Sequence, residues 1–202
     1  MVRQFVDIIN PDIFVLQYCT NDISDNSFQL EGRMSHVRNQ KNLRPYLIDD
    51  SIAFRLPKYH PYLLLINNSR LFRKLDFEVM KLQYRFDDPT RLLGPEAPTI
   101  AAERAAAIAL TGDLMSQLAA AMPKGTRSLT FSCDTSNPEE AETWKAMARA
   151  ASLDVYPSVS EKIEAAEKNG EAVRVYDRGH WNRLGHRIAG EELANVIARH
   201  YL

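Results

Sequence analysis

The fold is decided by the stretch Pro11-Asp-Ile-Phe-Val-Leu-Gln-Tyr-Cys-Thr-Asn-Asp22, in which a short apolar run leads directly into polar residues. The run at 13–19 is apolar and aromatic-rich, and this pattern predicts a buried strand. Similar runs at 128–133 and 153–156 also predict strands, and each follows a predicted helix. Strands that alternate with helices predict an α/β fold: a three-layer α/β/α arrangement around a parallel sheet.

The helices are predicted from propensity and from their end signals. Residues 101–121 are rich in alanine, and Met122-Pro-Lys-Gly125 ends that helix. Asn137-Pro138 opens a second helix, residues 161–168 form a third, and Asn182 caps a last helix that runs to about residue 200. Residues 173–176 form a short extended run.

Residues 27–97 depart from this alternation. The sequence predicts a polar loop at 20–26, irregular structure from residue 27 with short strands near 46–48 and 52–56, and a mixed helical pattern at 61–86. We therefore predict a single domain over residues 1–202 with an insertion at about 27–97.

Charge and composition narrow the class of protein. The chain has 202 residues, with 25 Lys+Arg against 26 Asp+Glu, so its formal net charge is −1. This balance argues against a nucleic-acid partner, which normally needs a basic excess. No apolar stretch approaches the length of a membrane span, and the N-terminus has no signal-peptide pattern. We expect a cytoplasmic protein, although a signal upstream of these residues would direct the complete protein to export.

Two short motifs carry candidate chemistry, and both follow extended runs. Asn21 comes after the strand at 13–19, and Asp177 lies three residues before His180, ahead of the last helix. Ligand sites in parallel sheets lie beyond the carboxyl ends of the strands. A carboxylate can fix the tautomer of a histidine base, and an Asn amide can donate to a developing oxyanion. Taken singly, the first motif is more often a turn and the second a structural cap.

Together, in this order, the motifs resemble the SGNH hydrolases, also called GDSL-type esterases. The third block of that family is a strand followed by Gly-x-Asn-Asp, which resembles Cys19-Thr-Asn-Asp22. The fifth block is Asp-x-x-His before a helix, which resembles Asp177-Arg-Gly-His-Trp-Asn-Arg-Leu-Gly-His186. The resemblance implies a flavodoxin-like sheet in the order 2-1-3-4-5, of which the strands here would be the third, fourth and fifth.

The resemblance also implies residue roles. His180 would be the general base, Asp177 would orient it, and Asn21 would be one oxyanion donor. The substrate would be an ester or an O-acetyl group, for example one on a carbohydrate, and both hydrolysis and transfer stay open. Cys19 stands where many members have glycine, which puts the local geometry of this loop in question.

The serine of the family is missing from the sequence. The first block, Gly-Asp-Ser, and the second block precede the third, and neither occurs in these 202 residues. Gly112-Asp113 is followed by leucine inside a predicted helix, and nothing marks Ser24 or Ser27 as activated. We expect the chain alone to be inactive as a serine esterase. The alternative is a non-catalytic remnant or interaction module that needs a partner chain.

The remaining residues predict neither a cofactor nor a metal site. No histidine pair has zinc-ligand spacing with cysteines, and His186 fits the last helix better than a metal site. Cys19 and Cys133 end predicted neighbouring strands, so we expect them to lie close together but reduced. The strand at 13–19 would form a poor sheet edge, because it is apolar and uncharged, and we expect self-association through it.

Overall fold

The computed structural model describes residues 2–34, 44–49, 51–55, 65, 68–86, 98–175 and 179–202. The helices and strands, in chain order, are α1 (Val2–Ile9), β1 (Ile13–Tyr18), α2 (Asp22–Asn26), α3 (Phe28–Met34), β2 (Arg44–Ile48), β3 (Ser51–Arg55), α4 (Arg70–Phe86), α5 (Pro98–Ala120), β4 (Arg127–Ser132), α6 (Pro138–Ala150), β5 (Asp154–Val155), α7 (Ser158–Lys168) and α8 (Arg183–His200). The chain divides into two compact units. The first comprises Met1–Ile23, Ile108–Val175 and Gly179–Leu202, and the second comprises Ser24–Ala107 and Tyr176–Arg178.

The first unit is built on a parallel sheet in the order β1-β4-β5. In β1 and β4 the paired positions run from Ile13 beside Arg127 to Tyr18 beside Ser132. β5 contributes one short pairing to the other side of β4. The prediction of an α/β fold with a parallel sheet is therefore confirmed. Within the described residues β1 pairs with β4 alone, so β1 is an edge strand.

One face of β4 carries the main hydrophobic core. Leu129, Phe131 and Cys133 alternate along the strand and are all buried. Phe131 and Cys133 pack in a cluster with Val159 and Ile163 of α7, both of which are fully buried. Burying an aliphatic side chain of this size stabilises the fold by roughly 1.5–3 kcal/mol. The same cluster includes Ala189 of α8, so α7 and α8 cover this face together.

The opposite face of β4 packs against α6. Trp144 of α6 is fully buried, and its Nε1 donates a hydrogen bond to Thr130 Oγ1 at 3.3 Å. The Trp144 ring also stacks on Tyr18 with 6.3 Å between ring centroids. Helices therefore cover both faces of the sheet in the first unit.

The predicted helix caps are present. Asn137 Oδ1 accepts a hydrogen bond from the backbone N–H of Glu139 at 3.1 Å, and Pro138 occupies the first helical position of α6. Asn182 caps α8 by accepting from the N–H groups of Leu184 and Gly185. These contacts satisfy donors that the first turn of a helix leaves without a partner.

Two predictions of irregular structure were wrong. Residues 22–26 and 28–34 form the short helices α2 and α3. Ile23 and Leu30 bury apolar side chains there, and Ser27 Oγ accepts from the Leu30 N–H at 3.2 Å, which caps α3. Polar cap residues resemble loop residues in a sequence, because the same side chains favour turns and helix N-termini.

The strands predicted near 46–48 and 52–56 are confirmed as an antiparallel hairpin of β2 and β3. The turn includes Asp49, whose φ of 47° lies in the left-handed region. α4 begins at Arg70, and most residues of the predicted helix before it, together with the break at 87–97, lie outside the described residues. The predicted insertion at 27–97 falls within the second unit. No described helix is long and apolar enough to cross a membrane.

Candidate functional site

The loop after β1 is held by Asp22. Its Oδ2 accepts a hydrogen bond from the Cys19 N–H at 2.8 Å, and its own N–H donates to the Cys19 carbonyl at 2.9 Å. This reciprocal pair fixes the turn at the carboxyl end of β1 and leads directly into α2. Asp22 therefore has a structural role, and Asn21, which the turn holds at this strand end, is solvent-exposed.

The residues on either side of 176–178 pair with each other before α8 and form a return of the chain. The Val175 N–H donates to the His180 carbonyl at 2.9 Å, and the Asn182 N–H donates to the Val173 carbonyl at 2.9 Å. Arg174 and Trp181 form an antiparallel bridge between these bonds. Residues 173–175 of the predicted extended run thus pair around Trp181 instead of with the described sheet, and residue 176 lies outside the described residues. Asp177 lies outside the described residues, so its orientation of His180 stays a prediction.

Asn182 and Gly185 hold this return against α8. The Asn182 side chain accepts two hydrogen bonds at the start of α8, and its Nδ2 donates to the Ala172 carbonyl at 2.6 Å. Gly185 comes so close to the return that a Cβ there would lie 2.4 Å from the Val173 carbonyl oxygen and 3.0 Å from the Trp181 Cβ. Trp181, Asn182 and Gly185, the Trp-Asn-x-x-Gly residues after His180, therefore form a platform that fixes the backbone at His180.

Trp181 connects this platform to the end of the sheet. Its ring stacks on Phe131 of β4, with 6.2 Å between centroids and 12° between planes. Trp181 also shares one hydrophobic cluster with Cys133, and Cys19 packs against that cluster. The neighbours in sequence of His180 and of Asn21 thus meet at the carboxyl ends of β1 and β4. Direct proximity of Asn21 and His180 stays a prediction.

Ser24 and Ser27, which no feature of the sequence marks as activated, and two serines near the end of the sheet have structural contacts. Ser27 is buried and caps α3, and the backbone N–H of Ser27 donates to the Ser24 carbonyl at 3.2 Å. Ser132 of β4 and Ser160 of α7 are both buried, and the Ser160 hydroxyl donates to the Ser132 carbonyl. Ser132 Oγ in turn donates to the Asp134 carbonyl at 2.6 Å. The hydroxyls of Ser27, Ser132 and Ser160 are therefore held in local hydrogen bonds.

Arg174 is a buried charge that sequence reasoning missed. Its side chain is 9% exposed, its Nε lies 2.7 Å from Glu167 Oε1, and its Nη1 lies 3.8 Å from Asp134 Oδ2. Burial lowers the pKa of Arg174, but the hydrogen bond to Glu167 and the nearby carboxylates more than offset this and raise it. The guanidinium therefore stays charged, and its ion pairs join the strand segment at Arg174 to α7 and to the segment after β4. No sequence pattern marked it, because its partners come from separate elements.

The described residues contain no group of three or more His, Cys, Asp or Glu side chains that could hold a metal ion. His186, the residue weighed as a metal ligand, lies in α8 with its ring 5.8 Å from that of Trp181. Comparison of the chain with protein-family models, with curated proteins and with solved structures finds no match.

Proposed function

We propose that this chain carries the base and an oxyanion donor of an SGNH-type serine ester hydrolase, acting on esters or O-acetyl groups of carbohydrate. His180 would be the general base, Asp177 would orient its imidazole, and Asn21 would donate to the oxyanion. The serine would come from outside these 202 residues, because no Gly-Asp-Ser occurs in them.

One observation carries this proposal. The parallel order β1-β4-β5 puts the end of β1, which leads into Asn21, beside the end of β4, on which Trp181 packs next to His180. An SGNH sheet would have its third, fourth and fifth strands in this order. In such a sheet, the first strand, whose end carries the serine, would pair with the edge of β1 that has no partner strand among the described residues.

A site that has an oxyanion donor and a base but no nucleophile can bind an ester without cleaving it. An Asn amide can hydrogen-bond the carbonyl oxygen of an ester without any nucleophile. Turnover needs a serine oxygen that attacks the carbonyl carbon while the histidine takes its proton. Asn21 and His180 are both solvent-exposed, so a ligand can reach them. The chain alone should therefore bind an acetyl ester weakly and release it unchanged.

Binding can be tested by NMR with an O-acetylated methyl glycoside and its deacetylated counterpart. We expect the acetylated compound to shift the Asn21 side-chain amide and His180 imidazole signals more than the deacetylated one. Asn21→Ala should weaken binding by about 5–10-fold, because a lost hydrogen bond costs about 1 kcal/mol. Asn195→Ala is the matched control, since Asn195 is also exposed but lies in α8.

A response at neither residue, or an equal response to both compounds, would contradict the proposal. It would favour the second candidate function, an interaction module without catalytic chemistry. The observation that favours this alternative is the edge of β1, which pairs only with β4 among the described residues. Reading the DNA upstream of Met1 for an in-frame Gly-Asp-Ser segment also separates the two candidates.

A further inference from the structure

Cys19 and Cys133 occupy adjacent positions at the ends of two neighbouring strands. The last paired positions of β1 and β4 are Tyr18 and Ser132, and each cysteine follows directly. The Cys133 N–H continues the pairing by donating to the Tyr18 carbonyl at 2.8 Å. Neighbouring strands lie about 4.8 Å apart, which falls within the roughly 4.4–6.8 Å that a disulfide requires between Cα atoms. The prediction that the two cysteines lie close together is confirmed, and both thiols are free.

The two sulfurs interact directly. The Cys19 thiol donates a hydrogen bond to the Cys133 sulfur, and this bond raises the pKa of Cys19, as burial also does. The same bond lowers the pKa of Cys133, and a bond from the Thr20 N–H acts in the same direction against burial. The pair can therefore carry one negative charge and one shared proton.

The two cysteines differ in exposure. Cys133 is 8% exposed and lies in the core cluster, whereas Cys19 is only partly buried and packs at the edge of that cluster. The backbone at Cys19 is fixed by its hydrogen bond to Asp22. Cys19 is therefore the more accessible of the two thiols for a small molecule in solution.

We propose that Cys19 and Cys133 form a thiol–disulfide exchange site that reacts with low-molecular-weight disulfides and closes reversibly into a disulfide between β1 and β4. This proposal is independent of the ester-hydrolase proposal, because it uses neither Asn21 nor His180. It assigns Cys19 as the entry thiol and Cys133 as the resolving thiol.

The exchange proceeds in two balanced steps. Cys19 passes its proton to Cys133 and attacks one sulfur of the small disulfide, which breaks the S–S bond and releases one thiolate. That thiolate takes the proton from Cys133, and Cys133 then attacks the Cys19 sulfur of the mixed disulfide, which releases a second thiolate. The protein loses two electrons and forms one S–S bond, and the small disulfide is reduced to two small thiols. An excess of the small thiol reverses both steps.

The experiment treats the reduced full-length chain with oxidised glutathione under native conditions and follows it by mass spectrometry. We expect both free thiols to be lost together, without an accumulating glutathione adduct, and a Cys19–Cys133 peptide pair after digestion. In Cys133→Ser and Cys133→Ala the adduct should persist at Cys19, because no resolving thiol is present. In Cys19→Ser the buried Cys133 should react at least tenfold more slowly than Cys19 does in Cys133→Ser.

Circular dichroism and thermal unfolding of each variant show that it is folded before its reactivity is compared. Oxidised wild-type protein should unfold at a higher temperature than the reduced form, because the bond closes a long segment of chain. Two glutathione adducts on one wild-type chain would overturn the proposal. Thiols that react only after unfolding would overturn it as well, and so would faster modification of Cys133 than of Cys19.

Discussion

Replacing Gly185 by alanine tests the packing that holds the return before α8. The new Cβ would lie 2.4 Å from the Val173 carbonyl oxygen, and the Trp181 Cβ and Cγ would be 3.0 and 3.3 Å away. The carbonyl cannot move freely, because it accepts a hydrogen bond from the Asn182 N–H at 2.9 Å. We expect Gly185→Ala to destabilise the protein by about 1–3 kcal/mol, which is typical of overpacking.

Gly190→Ala is a control in the same helix. Nothing lies within 4 Å of the Cβ that this substitution adds, and Gly190 is exposed. Alanine is the better helix former by about 0.5–1 kcal/mol, so this variant should be more stable than the wild type. The opposite signs separate steric contact from helix propensity.

Urea unfolding monitored by tryptophan fluorescence measures both changes. The two tryptophans of the chain, Trp144 and Trp181, both lie in the first unit, so the signal reports the unit that contains both glycines. The Trp181 side chain lies next to the Cβ that Gly185→Ala adds, so the fluorescence emission of Trp181 should also change in this variant. The reasoning is refuted if Gly185→Ala is as stable as Gly190→Ala.

Four further predictions follow from the site and the sheet. The chain alone should not hydrolyse nitrophenyl esters, and fluorophosphonate labelling of one serine that His180→Ala abolishes would contradict this. The edge strand β1 should cause self-association, which sedimentation measures, and Gln17→Lys should reduce it by adding a charge at an exposed position of β1. A wild-type protein that sediments as a monomer would contradict this prediction. Asn182→Ala should lower the free energy of unfolding by about 1–2 kcal/mol through loss of the α8 cap, as measured in urea. Burial and the hydrogen bond to Asp154 raise the pKa of Tyr201. Above about pH 10 the unfolded chain loses this proton before the folded protein does, so the stability of the wild type should fall there. Tyr201→Phe should remove the part of the fall that comes from Tyr201.

The candidate site was partly predictable for a physical reason. Asn21 follows β1 of the parallel sheet, as the local pattern predicts. The run before His180 pairs with Trp181 instead of with the described sheet, so a shared location of Asn21 and His180 stays a prediction. The same reasoning predicted that Cys19 and Cys133 would be neighbours. It did not predict the hydrogen bond between their sulfurs, since this depends on side-chain directions that strand order alone leaves open.

Arg174 shows where sequence reasoning ends. Its partners, Glu167 and Asp134, come from α7 and from the segment after β4. A charge run in the sequence gives no sign of which carboxylates a buried guanidinium will meet, because long-range pairing is fixed only when the elements pack. The same holds for the contact between Gly185 and the Val173 carbonyl.

The sequence alone determined the strands β1, β4 and β5, the caps of α6 and α8 and the α/β class of the fold. Apolar runs, Asn137-Pro138 and Asn182 act through local hydrogen bonds and propensities, which do not need the rest of the chain. Tertiary structure decided the short helices α2 and α3, where burial of Ile23 and Leu30 outweighs the turn-like composition. It also decided that residues 173–175 turn back to pair with Trp181, because backbone groups there find partners only once α8 has packed against the sheet.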